Sequence, residues 1–418
     1  MLSKILIKNI KELLLVEQPG SEKKRVEGAE MKQMETIKNA WLAIEGDKIV
    51  GFGSMNEWEG ITNWNDLQVI DAEGRIVFPA FCDSHSHIVY HGNREGEFVD
   101  RINGFTYAQI AQKGGGIINS VLKLREASED ELYEQALGRA KEVMAMGTGA
   151  LEIKSGYGLN LESEMKMLRV IKRLKKNTPL TIKSNLLAAH ALPPEYLNNR
   201  EGYLTLIIDK IIPAVAKEGL ADFIDVFCEA GYFTNEDTDR ILRAGSKHGL
   251  RAKFHVNQFT KSGGIKVGIR RNALSVDHLE VLADKEIKAL IGKETMATIL
   301  PSCSFFLGIP YSPARKMIDS GLGVALASDY NPGSTPSGNM SFVMALACIK
   351  LKMTPNEAYN AACLNGAYAM NLSHELGSIA IGKKANVVIT KRIPSYSYIP
   401  YSFGSNHIHQ VILNGQVV

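Results

Sequence analysis

Cysteine is scarce in this chain and follows no pairing pattern. There are five in 418 residues, at Cys82, Cys228, Cys303, Cys348 and Cys363, with no C-x-x-C pair among them. An odd, scattered set excludes a disulfide framework or a cysteine-built zinc module and fits a reduced, cytoplasmic compartment. Net charge is nearly absent too. Lys and Arg number 48 against 45 Asp and Glu, a formal +3, which leaves no basic footprint for nucleic acid. Long apolar runs are missing. The uncharged stretch 295–314 is broken by Pro301, Pro310 and Pro313, so no membrane span is expected. The first eight residues interleave lysines with apolar residues and lack the apolar core of a secretory signal. Two basic clusters, Lys172-Arg173-Leu174-Lys175-Lys176 and Lys23-Lys24-Arg25, read as solvated surface, the first at a helix C-terminus where cations suit the dipole.

What remains is ordinary globular composition, 45% hydrophobic and 22% charged. The length suits two or three domains, or one α/β barrel of about 250 residues with a smaller companion. The two ends of the chain resemble each other and differ from the middle. Residues 41–50 read as two strands around a turn, and 385–390 and 409–415 read as strands. This predicts a small β-sandwich domain built from both ends, 1–75 and 375–418, with the segment 76–374 inserted between its halves. The middle alternates strand-like and helix-like segments. Strands are expected at 76–81, 150–154, 181–188, 223–227, 252–256, 273–276, 296–300 and 323–327. Helices are expected at about 129–146, opened by a Ser128/Glu131 capping box, at 161–175, and from an N-cap at Thr234. Eight β-α units in series predict an α/β fold, a TIM-like (β/α)8 barrel.

Metal-capable side chains fall at the ends of these strands. Asp83-Ser84-His85-Ser86-His87 follows the first, and histidines at i and i+2 of extended chain share a face. His255 ends the fifth strand, His278 follows the sixth and Asp329 the eighth. In a barrel all strand C-termini open onto one face, so these groups converge there. Nitrogen ligands with a carboxylate suit one divalent metal, zinc or iron(II), with a position open for water. The fourth strand ends Asp225-Val226-Phe227-Cys228-Glu229 and offers no lysine to bridge two metals, and Glu229 is a candidate to orient a ligand histidine. A metal lowers the pKa of its water towards neutrality. His278 is then suited to polarise the attacked group or move protons, and Asp329 to ligate and to accept the water proton.

Taken together these residues resemble the amidohydrolase superfamily over essentially the whole chain. The resemblance runs through Asp83-Ser84-His85-Ser86-His87, Asn93-Arg94-Glu95-Gly96-Glu97-Phe98, Gly114-Gly115-Gly116-Ile117, Lys154-Ser155-Gly156-Tyr157-Gly158, Ala189-His190-Ala191-Leu192-Pro193 and Ser328-Asp329-Tyr330-Asn331-Pro332-Gly333-Ser334. Within the superfamily it points to the histidine-degrading branch. It implies hydrolytic opening of the cyclic amide 4-imidazolone-5-propanoate to N-formimidoyl-L-glutamate. It implies a metal held by His85, His87, His255 and Asp329, and substrate contacts from Arg94, Tyr157, His190, Gln258, Asn331, Gly333 and Ser334, with Tyr107 a weaker addition. It also implies a homodimer. Ser84 and Ser86 stand where proline and threonine are common. Gln258 replaces a glutamate found in some members, and a glutamine cannot act as a base. The rival within the superfamily is a cytosine or guanine deaminase-like enzyme. Arg94 discriminates, because a carboxylate-bearing small-molecule substrate needs such a cation and a neutral nucleobase does not. A catalytically dead homologue used for assembly is the other alternative, and the complete ligand set argues against it.

Overall fold

The computed structural model describes residues 3–60, 66–105, 109 and 113–418. The first strand, β1 (Lys4–Leu14), alternates apolar and polar residues, but the alternation slips once. Ile5 and Ile7 are buried, and so are Ile10 and Leu13. The slip is a bulge: Asn9 takes a left-handed φ of 56°, and pairing with β2 (Thr36–Glu45) jumps between Ile7 and Ile10. An extra residue returns the later side chains to the core face. β2 turns at Gly46-Asp47 into β3 (Lys48–Ser54), and β4 (Leu67–Asp71) and β5 (Arg75–Pro79) lie parallel to β1 on its other side. From the far end of the chain, β14 (Val387–Arg392) pairs antiparallel with β5 and with β15 (Ile408–Leu413). β15 then turns at Asn414-Gly415, both at positive φ, into β16 (Gln416–Val417). Asn-Gly is the pair that a tight hairpin turn demands. Both ends therefore share one mixed sheet with its own apolar core.

The middle forms the expected barrel. Eight parallel strands run in chain order: β6 (Phe81–Asp83), β7 (Thr148–Lys154), β8 (Thr181–Ala189), β9 (Phe223–Cys228), β10 (Arg251–Val256), β11 (Ser275–His278), β12 (Met296–Ile299) and β13 (Val324–Leu326). Seven of the expected strands coincide with these. The first differs. The run 76–81 is two strands in two sheets, because the chain leaves β5 at Pro79 and enters β6 at Phe81. Pro79 lacks an N–H to continue a ladder, and Ala80 donates instead to the Asn386 carbonyl at 2.9 Å. The helix Glu129–Ala145 begins at the Ser128/Glu131 capping box, and Asn235–Lys247 at a capping box of Thr234 and Asp237. The helix Leu161–Asn177 carries the Lys172–Lys176 cluster at its C-terminus.

The barrel closes at the motif loops. Asp329 N–H donates to the His85 carbonyl and His87 N–H to the Tyr330 carbonyl, each at 2.9 Å. Ser328 braces this seam by donating its N–H (2.9 Å) and hydroxyl (2.5 Å) to the buried Asp83 carboxylate. Burial pushes Asp83 up to about 7, against the pull of those two bonds. Ser328→Ala should remove one of them and lower unfolding stability by about 1–3 kcal/mol. Chemical denaturation measures this, and an unchanged midpoint would show that the seam does not depend on Ser328.

Candidate active site

The strand ends bring His85, His87, His255, His278 and Asp329 together, all buried. His85 Nε2 and His87 Nε2 stand 3.3 Å apart, and Asp329 Oδ1 lies 3.6 and 3.5 Å from them. Four donors on an ion with bonds of about 2.0–2.1 Å are separated by roughly 3.3 Å, so these spacings fit a divalent metal. The protonation states fit as well. His85 Nδ1 donates to Asp277 Oδ2 at 2.7 Å and His255 Nδ1 to Asp225 Oδ1 at 2.9 Å, so each ring turns an unprotonated nitrogen inward. Burial first, then the neighbouring positive groups, hold His85, His87 and His255 well below the ordinary imidazole range. His87 Nε2 lies 3.3 Å from the bare His85 Nε2, and the His87 Nδ1 is buried without a partner. Backbone geometry aims the side chains: His278 (φ 87°) and Asp329 (φ 57°) both occupy the left-handed region at the ends of their strands. Non-glycine residues held there are uncommon and concentrate at functional sites.

Beneath the ligands lies a layer of charge that the sequence reading missed. Lys154 Nζ bonds Glu152 Oε1 (2.5 Å) and Asp225 Oδ2 (2.8 Å). Lys253 Nζ lies 3.0 Å from the other Glu152 oxygen, outside hydrogen-bonding alignment, and bonds Ser275 Oγ at 2.6 Å. Asp277 lies 3.8 Å from Lys154 and 3.6 Å from Lys253. All are fully buried. The Lys154 ammonium is held strongly protonated, because Asp225, Glu152 and Asp277 outweigh the cost of burial. The residues that orient the ligand histidines are therefore Asp225 and Asp277. Glu229, the sequence candidate, does not reach a histidine; it accepts from Phe259 N–H and the Thr260 hydroxyl and so ties down the loop after β10. A signal was available: Glu152 and Lys154, Lys253 and His255, and Ser275 and Asp277 each alternate at i, i+2 inside otherwise apolar strands, which places both members on one barrel face.

Above the ligands opens a cavity of about 520 Å³, lined by Arg94, Tyr157, His190, Gln258, Asn331, Gly333 and Ser334 together with the metal-site residues. Tyr107 lies outside the described residues. Arg94 donates through Nε and Nη2 to Glu97 at 2.9 and 2.6 Å, and Glu97 also accepts from Gly116 N–H and Asn119. A β-carbon at Gly333 would collide with Arg94 Nη1. His190 stacks on His87 with centroids 5.5 Å apart. It donates Nδ1–H to the Gly156 carbonyl, and burial pushes it down to about 4. Burial raises the Tyr157 phenol above its usual range, so it stays a hydroxyl. Gln258 donates to Cys303 Sγ at 3.4 Å. Asn331 is tied into its own loop, accepting from Gly333 and Ser334 N–H, while Ser334 donates to Asp329 Oδ2. His278 pairs with Glu280 at 3.2 Å. Burial works against protonation of His278, but Glu280 outweighs it and the net shift is upward. Arg101, also unforeseen, lines the rim and donates to the Gly333 carbonyl at 2.8 Å.

A closed parallel barrel with three neutral histidines and an aspartate on its C-terminal face, beside a sheet built from both chain ends, defines a metal-dependent hydrolase of the amidohydrolase type. The amidohydrolase family profile matches residues 212–418. Solved structures of low identity share the fold. Escherichia coli guanine deaminase is 14% identical with a TM-score of 0.74, covering 100% of this chain and 99% of its own. A zinc-bound adenosine deaminase from Xanthomonas campestris is 12% identical with a TM-score of 0.72, covering 99% and 92%. Among curated proteins, the imidazolonepropionases of Christiangramia forsetii and Flavobacterium johnsoniae are 58% and 59% identical, over 99% of this chain and 100% and 99% of theirs. That of Alkaliphilus metalliredigens is 39% identical over 100% and 98%. The chain belongs to the imidazolonepropionase family, enzymes that hydrolyse a cyclic amide.

Lys154→Met should leave Glu152 and Asp225 buried without their shared cation and cost about 3–5 kcal/mol of stability. It should also weaken metal retention during dialysis against a chelator, since Asp225 would no longer be held against His255. Wild-type stability together with wild-type metal retention would refute the role given to this layer.

Proposed function

We propose that this chain opens 4-imidazolone-5-propanoate by hydrolysis to N-formimidoyl-L-glutamate, a step of histidine degradation. One observation carries the reading: a guanidinium, Arg94, is fixed by Glu97 in the same cavity whose floor is the histidine–aspartate cluster. A carboxylate at one end of a small substrate and a cyclic amide at the other match that arrangement. A neutral nucleobase gives Arg94 no task.

His85, His87, His255 and Asp329 would hold the metal, which when bound supplies an acidified water and polarises the amide carbonyl. Arg94 binds the propanoate with two-pronged geometry, and the Tyr157 hydroxyl and neutral His190 imidazole donate beside it. Gln258 and the loop of Asn331, Gly333 and Ser334 complete the substrate contacts, and Tyr107 is assigned with them. Asp329, with one oxygen toward the histidines and the other held by Ser334, accepts the proton of the attacking water. His278, whose protonated form Glu280 favours, faces the carbonyl oxygen and returns a proton to the departing nitrogen. The chemistry belongs to the segment 76–374, which we start at Ala80 because Arg75–Pro79 pairs with the end strands; 1–75 and 375–418 support it. The ion is zinc or iron(II), the chain works in the cytoplasm, where its free thiols stay reduced, and it pairs as a homodimer without nucleic acid. Light scattering at twice the chain mass checks the last assignment.

Metal-replete protein should consume imidazolone propanoate, read as loss of its ultraviolet absorbance, and no loss sinks the assignment. Arg94→Ala should raise KM roughly 10- to 100-fold, the range of a charged hydrogen-bond pair worth about 1.5–3 kcal/mol, with a smaller effect on kcat. A fall in kcat alone would move Arg94 out of substrate binding. Chelation should abolish turnover, and the ion that restores it, matched to metal analysis of the purified protein, decides between zinc and iron. Turnover that survives complete metal removal would refute the metal-dependent reading.

A further inference from the structure

A second set of donors adjoins the ligand cluster and shares His278 with it. His278, Glu280 and Cys303 each turn one ligand-capable atom to a common point, all within 4.8 Å of one another and all buried. Glu280 Oε1 meets His278 Nδ1 at 3.2 Å. Its other oxygen, Oε2, is buried with no hydrogen-bond partner. An unsatisfied buried acceptor costs about 1–3 kcal/mol, and more when charged, so this oxygen favours a cation that can fill the gap. Cys303 sits in the first turn of the helix Pro301–Leu307, receives a long bond from Gln258, and its thiol also hydrogen-bonds with Asp329 and Ser334. A tetrahedral ion with bonds of about 2.0–2.3 Å places its ligands roughly 3.3–3.6 Å apart. The His278–Glu280 edge already has that length, and a modest inward shift of the Cys303 sulfur closes the rest. Sulfur with imidazole and carboxylate selects soft or borderline ions over magnesium, calcium or manganese.

We propose that His278, Glu280 and Cys303 form a second, soft-metal site, filled when such an ion is in excess, which withdraws His278 from turnover. Binding forms a metal–sulfur and a metal–nitrogen bond, and the thiol proton and the His278 Nδ1 proton both leave to solvent. The inhibition rests on the role given to His278 above; the binding does not.

Cadmium ion is the probe, titrated into metal-replete protein. The proposed hydrolytic ligand set contains no sulfur, so a cadmium–thiolate charge-transfer band reports coordination by Cys303, and its weakening in Glu280→Gln places the ion at the second site and not at the cluster that Cys303 also touches through Asp329. The band should saturate at one added ion per chain, with turnover falling in parallel. Cys303→Ser should abolish the band and blunt the inhibition. Glu280→Gln, which conserves volume, should keep the band but weaken binding by about tenfold or more, and it carries the test if circular dichroism shows Cys303→Ser to be unfolded. A band that survives in folded Cys303→Ser, as the half-buried Cys348 would produce, overturns the site, as does the absence of any band in wild type. A band with full turnover overturns the inhibition. If untreated protein never turns over imidazolone propanoate, the proposed function fails, while the band still decides the site.

Discussion

The ligand geometry depends on a layer of buried charge that no solvent reaches. Glu152, Asp225 and Asp277 face Lys154 and Lys253 inside the barrel. Each ion alone would cost several kcal/mol to desolvate. Together they compensate, and three carboxylates against two ammonium groups leave one negative charge. That surplus is presented upward through the Asp277 and Asp225 oxygens that accept from His85 and His255. It fixes which nitrogen carries the proton, turns the bare nitrogens toward one point and favours a cation there. Because every member of the layer sits on a strand, the two histidines it holds, His85 and His255, are fixed against the barrel wall. The same layer is costly to disturb, since loss of one ion strands its partners.

The substrate side is organised differently, by side-chain acceptors that gather backbone N–H groups. Glu97 takes Gly116 and the guanidinium of Arg94. Glu164 takes Gly156, Gly158 and Leu159. Asn331 takes Gly333 and Ser334. This explains why the motifs are rich in glycine. Gly156 lies at φ 106°, and a β-carbon there would meet the Leu187 carbonyl and the His190 ring. At Gly158 a side chain would crowd Glu164 itself. Each motif loop is thus closed on one side-chain acceptor, with Arg94, Tyr157 or Ser334 carried on the rim of the cavity.

Much of this was legible beforehand. Strand-like runs separated by capped amphipathic helices marked seven barrel strands, and the end strands were legible as short strand-like runs, although 409–415 reads as one strand where the chain turns at Asn414-Gly415. The first barrel strand was misread because 76–81 is continuously apolar, and hydrophobicity does not reveal a change of sheet; only Pro79 marks the break. The convergence of the histidines and Asp329 was legible because strand ends meet on one face by topology. The charged layer was not, because Lys154 and Lys253 look like ordinary surface lysines until the barrel interior is known to receive them. Glu229 is named in the sequence for its place after the strand end, and Asp225 is not. The inward-facing register selects Asp225, which lies level with the histidine backbone it also bonds.

The near-zero net charge constrains how an anionic substrate is recognised. With a formal +3 spread over 418 residues, the whole molecule offers little long-range attraction, and orientation must arise inside the cavity. The cavity supplies it. Arg94 and Arg101 flank Gly333, one against its α-carbon and the other on its carbonyl, so two guanidiniums stand on the same side. The floor presents the Asp329 carboxylate with the imidazoles of His87, His255 and His278. A substrate with a carboxylate at one end and an uncharged ring at the other has only one favourable direction in that field. Its carboxylate lies toward the arginines, and its ring falls over the ligand cluster. Reversal would bury the anion beside Asp329 and away from the two guanidiniums, so the electrostatic gradient does the positioning before any contact with the reacting centre is made.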